Sequence, residues 1–233
     1  MGIEFVLLVA GAYLLGSVPT AYLIAKWRRG IDIRQYGSGN VGASNVLSVV
    51  SKRWSIPVTI FDLGKGMVTV GLAQLMGLGV IQQIIIGLAA IIGHNWTVFL
   101  GFNGGRGMFT TLGVLLVLSP KLGISALVLA YLFAPFRQLS LGVTIALVSL
   151  PVASWFLSEP FGIEERSAIT LGYLLLLFTA MLRRLTVPRA PISAGLPTRE
   201  VVINRLLFDR DIRDRKAWIS QSRSPEGSKK SAG

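Results

Sequence analysis

The sequence predicts an all-α, polytopic membrane protein of seven transmembrane helices, with its N-terminus outside and its C-terminus in the cytoplasm. Three observations carry this. Of the 233 residues, 52% are hydrophobic and 15% charged, against about 25% charge in soluble domains, and the mean hydropathy is +0.63. Apolar runs of about 20 residues, the length that crosses a bilayer, recur along most of the chain. The cations gather in two places: six in residues 26–55 against the single acid Asp32, and twelve from Arg183 onward against five acids.

The expected spans are 3–25, 57–77, 80–98, 107–119, 121–136, 139–158 and 166–182. The first has no basic stretch before it and is long enough to span, so it reads as a retained helix and not a cleaved signal peptide. The fourth and fifth are short and separated by Ser119-Pro120-Lys121. Parity favours counting them apart. Positive segments stay inside, so a cytoplasmic loop after span 1 and a cytoplasmic C-terminus require an odd number of helices. Residues 101–107 then lie inside, and Glu159, Glu164 and Glu165 outside with only Lys121 and Arg166.

Residues 1–182 thus form one transmembrane domain and 183–233 a basic cytoplasmic tail. Within the tail, 184–198 is rich in Pro and Arg and reads as an extended connector. Residues 199–219 have apolar positions at 201–203, 206–208 and 212, the pattern of a cationic amphipathic helix on the membrane surface. The end, SQSRSPEGSKKSAG, reads as disordered.

Cysteine is absent and His94 is the only histidine. A disulfide framework and a thiolate metal site are therefore excluded, and most histidine-based metal or triad chemistry with them. The net charge of +12 is placed as membrane-flanking charge and does not predict nucleic-acid binding.

Three polar segments converge on the expected cytoplasmic face. The first is YGSGNVGASNV, residues 36–46. The second is FDLGKG, residues 61–66, inside span 2. The third is GHNW, residues 93–96, running on to GFNGGRG, residues 101–107. Glycine-rich turns beside a cation make anion sites, because backbone N–H groups can converge on a bound charge. Arg106, at the head of span 4, adds charge where a helix N-terminus already favours anions. Together they suggest a ligand bearing phosphate. The competing reading is packing: Gly64 and Gly66 suit close helix approach, Asp62 and Lys65 suit a neutralising pair, and His94 suits a structural hydrogen bond. Intramembrane ionisable groups are nevertheless functional candidates.

In order, GSVPTAYLIAK, IDIRQYGSGNVGASNV, FDLGKG and GHNWTVFLGFNGGRGMFTTLGVLL resemble the bacterial acyl-phosphate:glycerol-3-phosphate acyltransferase family, PlsY, strongly from about Gly16 to Leu116. NRLLFDRD near 204–211 resembles the family's C-terminal motif. The resemblance implies a seven-helix enzyme of the bacterial inner membrane with its active site at the cytoplasmic surface. It would move a fatty acyl group from acyl phosphate to the 1-hydroxyl of glycerol 3-phosphate, giving lysophosphatidic acid in the first acylation of phospholipid synthesis. No cofactor, metal or covalent acyl-enzyme is implied. The expected partners are the two substrates, membrane lipids and the enzyme that supplies acyl phosphate.

On this reading Ser38, Asn40 and Arg106 are catalytic, and Gly37, Gly39, Gly42, Ser44, Asn45, Asp62, Lys65, His94, Gly104, Gly105 and Gly107 bind substrate around one cavity. Gly104, Gly105 and Arg106 would take the donor phosphate, Ser38 and Asn40 would position substrate, and Asp62 would anchor Lys65 or the first loop. An acyl phosphate is an activated mixed anhydride, so no nucleophilic residue is required, and catalysis would rest on positioning and electrostatics. The chain departs from the family pattern at Arg106, where lysine is usual, at Ser48, where arginine is usual, and at Arg199 and Val202, in place of histidine and asparagine. The last two departures fall on the acceptor side. They leave open a paralogue with a different acceptor, and a non-enzymatic lipid-binding membrane protein is the third alternative.

Overall fold

The computed structural model describes residues 2–221, whose regular elements are helices. Helices α1 (Ile3–Ser17) and α2 (Thr20–Arg29) continue one apolar path, interrupted where Pro19 has no N–H to give the ladder. A short α3 (Ala43–Val49) precedes α4 (Lys52–Leu75) and α5 (Val80–Asn95). Next come α6 (Met108–Leu118), α7 (Pro120–Tyr131), α8 (Leu139–Phe156), the single turn α9 (Ser158–Phe161) and α10 (Arg166–Thr186). The tail contributes α11 (Thr198–Phe208) and α12 (Arg215–Ser220).

Five of these segments are long and apolar enough to cross a membrane: Ile3–Arg29, Lys52–Leu75, Val80–Leu100, Leu139–Phe156 and Arg166–Thr186. Helices α6 and α7 fall at the expected fourth and fifth spans, but they have only 11 and 12 residues. At about 1.5 Å per residue each reaches roughly half of a hydrocarbon core about 30 Å thick. They form a hairpin. Pro120 opens α7 directly after α6, and Gly123 packs on the backbone of Leu115 and Leu116. The outward face of the bundle is apolar, with Leu7, Leu75, Phe156 and Phe178 among its exposed side chains, as a lipid-facing surface requires.

Lipid offers no hydrophobic drive between helices, so close backbone contact has to supply the packing. It does so reciprocally in two pairs. A Cβ on Gly16 of α1 would strike the Ala90 carbonyl of α5, and one on Gly93 of α5 would strike the Tyr13 carbonyl of α1. In the same way Gly66 of α4 meets the Thr110 carbonyl of α6, and Gly113 of α6 meets the Leu63 carbonyl of α4. Gly64, by contrast, faces open space.

The tail departs from the sequence expectation. The single amphipathic helix over 199–219 is two helices, and α11 packs on α8 and α10, with Val201, Asn204 and Arg205 buried. The reason lies in what captures its last carbonyls. Thr144 Oγ1 lies within hydrogen-bond reach of the carbonyls of Leu206 (3.3 Å) and Leu207 (3.0 Å), and Arg184 donates to that of Leu206 (2.6 Å). The chain then turns through Asp209 at φ 55°, a left-handed conformation that Asp tolerates better than most residues.

The connector is also folded back. Asp211 accepts from Arg205 (2.7 Å), the Ala190 amide (2.8 Å) and the Ser193 hydroxyl (2.9 Å). Burial alone would raise the Asp211 carboxyl, but these hydrogen bonds hold it below the usual carboxylate range. Of the expected disordered end, residues 220–233, Ser220 instead closes α12, and the part from 222 on lies outside the described residues.

Gly66→Val should lower the thermal unfolding midpoint in detergent by the equivalent of about 1–3 kcal/mol, the range for forcing extra volume into a packed contact. Gly64→Ala meets nothing within 4 Å and should leave the midpoint unchanged or slightly raised. Equal effects of the two would refute backbone contact as the glue of the α4–α6 pair.

Candidate functional site

The site is built around Asp62, which is 3% exposed within α4. Its carboxylate meets Lys65 Nζ one turn later (2.9 Å), His94 Nδ1 from α5 (3.5 Å) and the Thr20 hydroxyl at the start of α2 (3.2 Å). An unpaired carboxylate in this interior would cost several kcal/mol. The three partners converge three helices on one point. His94 Nδ1 also lies 3.4 Å from Thr110 Oγ1 of α6. Its other ring nitrogen abuts Gly105, where a Cβ would overlap Nε2.

Two loops close over this hub. In residues 96–107, Thr97 Oγ1 donates to the Ser17 carbonyl (2.5 Å) and Tyr13 donates to the Trp96 carbonyl (2.9 Å), pinning the loop to α1. Gly107 then turns the chain at φ 68° into α6. In residues 30–42, Asp32 caps a 3-10 turn and pairs with Arg34 (2.7 Å). Burial would raise the Asp32 carboxyl, yet hydrogen bonds and charge from Arg34 hold it below its ordinary value. Arg34 also reaches the Leu100 carbonyl (3.3 Å), so the two loops are tied together.

Beside the hub lies a cavity of about 360 Å³. One end is polar, lined by Asn40, Ser44, Asp62, His94, Arg106, Arg184 and Asp209. The other runs between α6, α7 and α8 past Leu115, Ala126, Leu127, Ala130 and Leu147. Arg106 pairs with Asp209, and Arg184 Nε lies 3.7 Å from the same carboxylate. Arg183 is used differently. It donates to the carbonyls of Gly105 (2.9 Å) and Gly104 (2.7 Å), with its guanidinium 5.8 Å from the Trp96 ring.

Of the residues expected from sequence, Asn40, Gly42, Ser44, Asp62, His94, Arg106 and Gly107 line this cavity. Gly104 and Gly105 do not. They line a small adjoining crevice that also touches Asp62 and His94.

The expectation that the glycine amides stand free for phosphate is corrected at four positions. The Gly37 amide donates to Gln221, Gly39 to Tyr36, Gly104 to Asn95 and Gly105 to His94, all to carbonyl oxygens. At Gly104 and Gly105 glycine is needed for room, because a Cβ would collide with the His94 carbonyl at the first and the His94 ring at the second.

Ser38 and Asn45 also fall outside the cavity lining, because both are spent inside the first loop. Asn45 Nδ2 donates to the carbonyls of Ile33 (3.2 Å) and Tyr36 (3.0 Å), while its Oδ1 accepts from the Ser38 amide (3.1 Å). Ser38 Oγ accepts from the Asn40 amide (3.3 Å). Lys65 is absent from the lining as well, turned to Asp62 and 3% exposed. Ser48 and Arg199 are exposed. Arg184, which the sequence presents only as a tail charge, and Asp209, which lies within the NRLLFDRD motif but is assigned no role by it, both join the site. The available signals are the paired Arg183-Arg184 ending an apolar helix and the NRLLFDRD motif that contains Asp209.

Residues 6–188 match the family model described as glycerol-3-phosphate acyltransferase. Among its relatives, glycerol-3-phosphate acyltransferase 4 of Dehalococcoides mccartyi is 44% identical over 218 residues, covering 94% of each chain. Glycerol-3-phosphate acyltransferase 5 from another strain of that species is also 44% identical, over 97% of each chain. The crystal structure of PlsY, an integral membrane glycerol 3-phosphate acyltransferase in its glycerol 3-phosphate form, superposes with a TM-score of 0.71. It is 32% identical, and the match covers 91% of this chain and 96% of that one. The lysophosphatidic acid form matches at a TM-score of 0.69 and 30% identity.

Asn45→Ala removes three hydrogen bonds from a buried amide and leaves their partners unsatisfied, a loss of about 1–3 kcal/mol in loop stability. Limited proteolysis should then cut within residues 36–45 well before the helices. Resistance equal to wild type would show that Asn45 does not hold the loop.

Proposed function

Because the chain belongs to the glycerol-3-phosphate acyltransferase family, we propose that it is a membrane enzyme that acylates glycerol 3-phosphate from acyl phosphate, yielding lysophosphatidic acid and inorganic phosphate. The observation that carries this reading is the two-ended cavity. Cations and polar groups crowd one end and an apolar slot between α6, α7 and α8 forms the other, which suits a phosphate head joined to a fatty chain.

In the proposed reaction the 1-hydroxyl of glycerol 3-phosphate attacks the acyl carbonyl. The new ester C–O bond forms as the bond between the acyl carbon and the phosphate oxygen breaks, and phosphate leaves with the electron pair. Arg106 draws the charge of the departing phosphate. Asn40, whose buried Oδ1 has no protein partner, orients substrate from the facing loop, and Ser44 adds a hydroxyl at the rim. His94 is engaged on Nδ1 and crowded at Nε2, which favours a structural role over that of general base. The attacking hydroxyl's proton goes to the leaving phosphate, itself a competent base.

For topology we propose an N-terminus outside, a C-terminus inside and the site at the cytoplasmic face of a bacterial inner membrane. The hairpin simplifies the parity. Whether α6 and α7 cross fully, for seven spans, or enter and return, for five, both ends of the pair stay on one side. The six cations of 26–55 and the twelve of the tail then fall inside in either case. Reporter fusions after residues 50, 105 and 230 should all report cytoplasm, and an external signal at 105 would overturn the assignment.

Arg106→Ala should lower acyl transfer about ten- to a hundredfold, the loss of one charge-assisted contact in a partly desolvated site. Arg106→Lys keeps the charge and should be tolerated. The readout is lysophosphatidic acid formed from acyl phosphate and glycerol 3-phosphate by purified variants. Equal rates for Ala and wild type would remove Arg106 from the chemistry.

A further inference from the structure

Asp209 is the feature that the proposed reaction does not use. It sits where the tail turns out of α11, in the left-handed region at φ 55°, 103 residues along the chain from the arginine it pairs with. Its carboxylate lies on the cavity wall between Arg106 and Arg184, whose side chains are 8% and 2% exposed. Those two guanidinium groups are buried cations, and a buried cation without a counter-charge is costly. Arg183 nearby directs two of its N–H groups to the Gly104 and Gly105 carbonyls, so it acts on the Asp209 carboxylate through its charge and not through a hydrogen bond.

We infer that Arg106 and Arg184 together form a two-guanidinium seat for a substrate phosphate, and that Asp209 occupies this seat as an internal stand-in until the phosphate displaces it. This rests on the acyltransferase reading above and deepens it at the same cavity. The charge balance supports the exchange. With Asp209 in place Arg106 and Arg184 share a net +1 and Arg183 beside them adds a further positive charge, whereas the freed pair alone carries +2, so a phosphate group of about −1.5 to −2 at neutral pH is the better-matched counter-charge. Planar guanidinium forks engage phosphate oxygens in pairs, which one carboxylate imitates geometrically.

Displacement needs little movement. Asp209 is 20% exposed at its side chain and lies at the edge of the 209–213 turn, so side-chain rotation toward water releases both arginines. The residue therefore sets the apparent affinity for phosphate-bearing substrates: a resident anion lowers it by the fraction of time the seat is occupied.

The test uses the full-length protein in detergent or lipid, with Asp209→Asn and Asp209→Gly. Both residues accept a left-handed backbone, so the turn survives in at least one. Titration with inorganic phosphate, followed by calorimetry or thermal shift, reads the seat without catalysis. Both variants should bind phosphate several-fold more tightly than wild type. In turnover, KM for the substrate whose phosphate takes the seat should fall several-fold while kcat holds, with phosphate inhibition correspondingly stronger.

Arg184→Gln should weaken phosphate binding in the Asp209→Asn background. Unchanged phosphate affinity in both Asp209 variants, or weaker binding, overturns the proposal. A fall in kcat at constant KM also overturns it, since that pattern makes Asp209 a positioning residue for Arg106. If wild type transfers no acyl group to glycerol 3-phosphate, the acyltransferase reading fails separately, and the phosphate titration still decides the seat.

Discussion

One buried negative charge organises the rest of the molecule. The Asp62 carboxylate sits inside an apolar bundle, where only convergent partners make it tolerable. Thr20, Lys65 and His94 come to it from α2, α4 and α5. Satisfying that charge fixes where α2 begins, and so where the α1–α2 path breaks at Pro19. It also fixes the rotation of α5 about its axis. His94 then carries the arrangement onward, to Thr110 of α6 through Nδ1 and to Gly105 through the far edge of the ring. A residue that looks like a site component from sequence is thus the post on which the site is hung. Its partner Lys65 is buried behind it and does not face the cavity.

Much of this is legible in the sequence. The five long helices fall where hydropathy placed them, because a bilayer span leaves an unmistakable run of apolar residues. The segments bearing Asn40, Ser44, Asp62, His94 and Arg106 were singled out because polar groups in a lipid-facing chain need a reason to be there. Less legible were properties that depend on distance in space and not along the chain. Arg184 reads as one more tail cation, yet its hydrogen bonds to Thr144 (2.6 Å) and to the Leu206 carbonyl draw the tail into the site. The amphipathic pattern over 199–219 is genuine, but no local signal announces that α11 ends at Phe208. That ending depends on side chains from α8 and α10. Helices α6 and α7 are the least legible spans because they are short, with 11 and 12 residues, although both are apolar.

The glycines show why composition alone misassigns a role. A glycine-rich loop beside an arginine suggests free backbone amides, and that logic holds in many anion sites. Here the amides of Gly104 and Gly105 are engaged by the carbonyls of Asn95 and His94, while their own carbonyls accept from Arg183. The loop is a backbone-saturated wedge that lets Arg183 and His94 approach one another's surroundings without a side chain between them. The same economy of volume operates in the reciprocal glycine contacts of α1 with α5 and α4 with α6. In both places the absent side chain serves proximity, and the charge that meets a ligand comes from arginine.

Proximity in turn explains how a membrane bundle can keep so many ionisable groups buried beside an apolar slot. Close backbone packing of α1 on α5 and of α4 on α6 leaves Asp62 only 3% exposed, so the partners of its carboxylate act on it more strongly than they would in open water. The arginine end of the cavity is a second, separate balance. There Asp209 offsets two guanidinium groups that would otherwise face an apolar wall. The first balance is internal to the helices and permanent, since every partner is fixed by packing. The second depends on a tail turn at the protein surface, so its anion can exchange without disturbing the bundle. A substrate phosphate can therefore replace Asp209 while Asp62 and its partners stay in place, which separates holding the site's shape from loading its ligand.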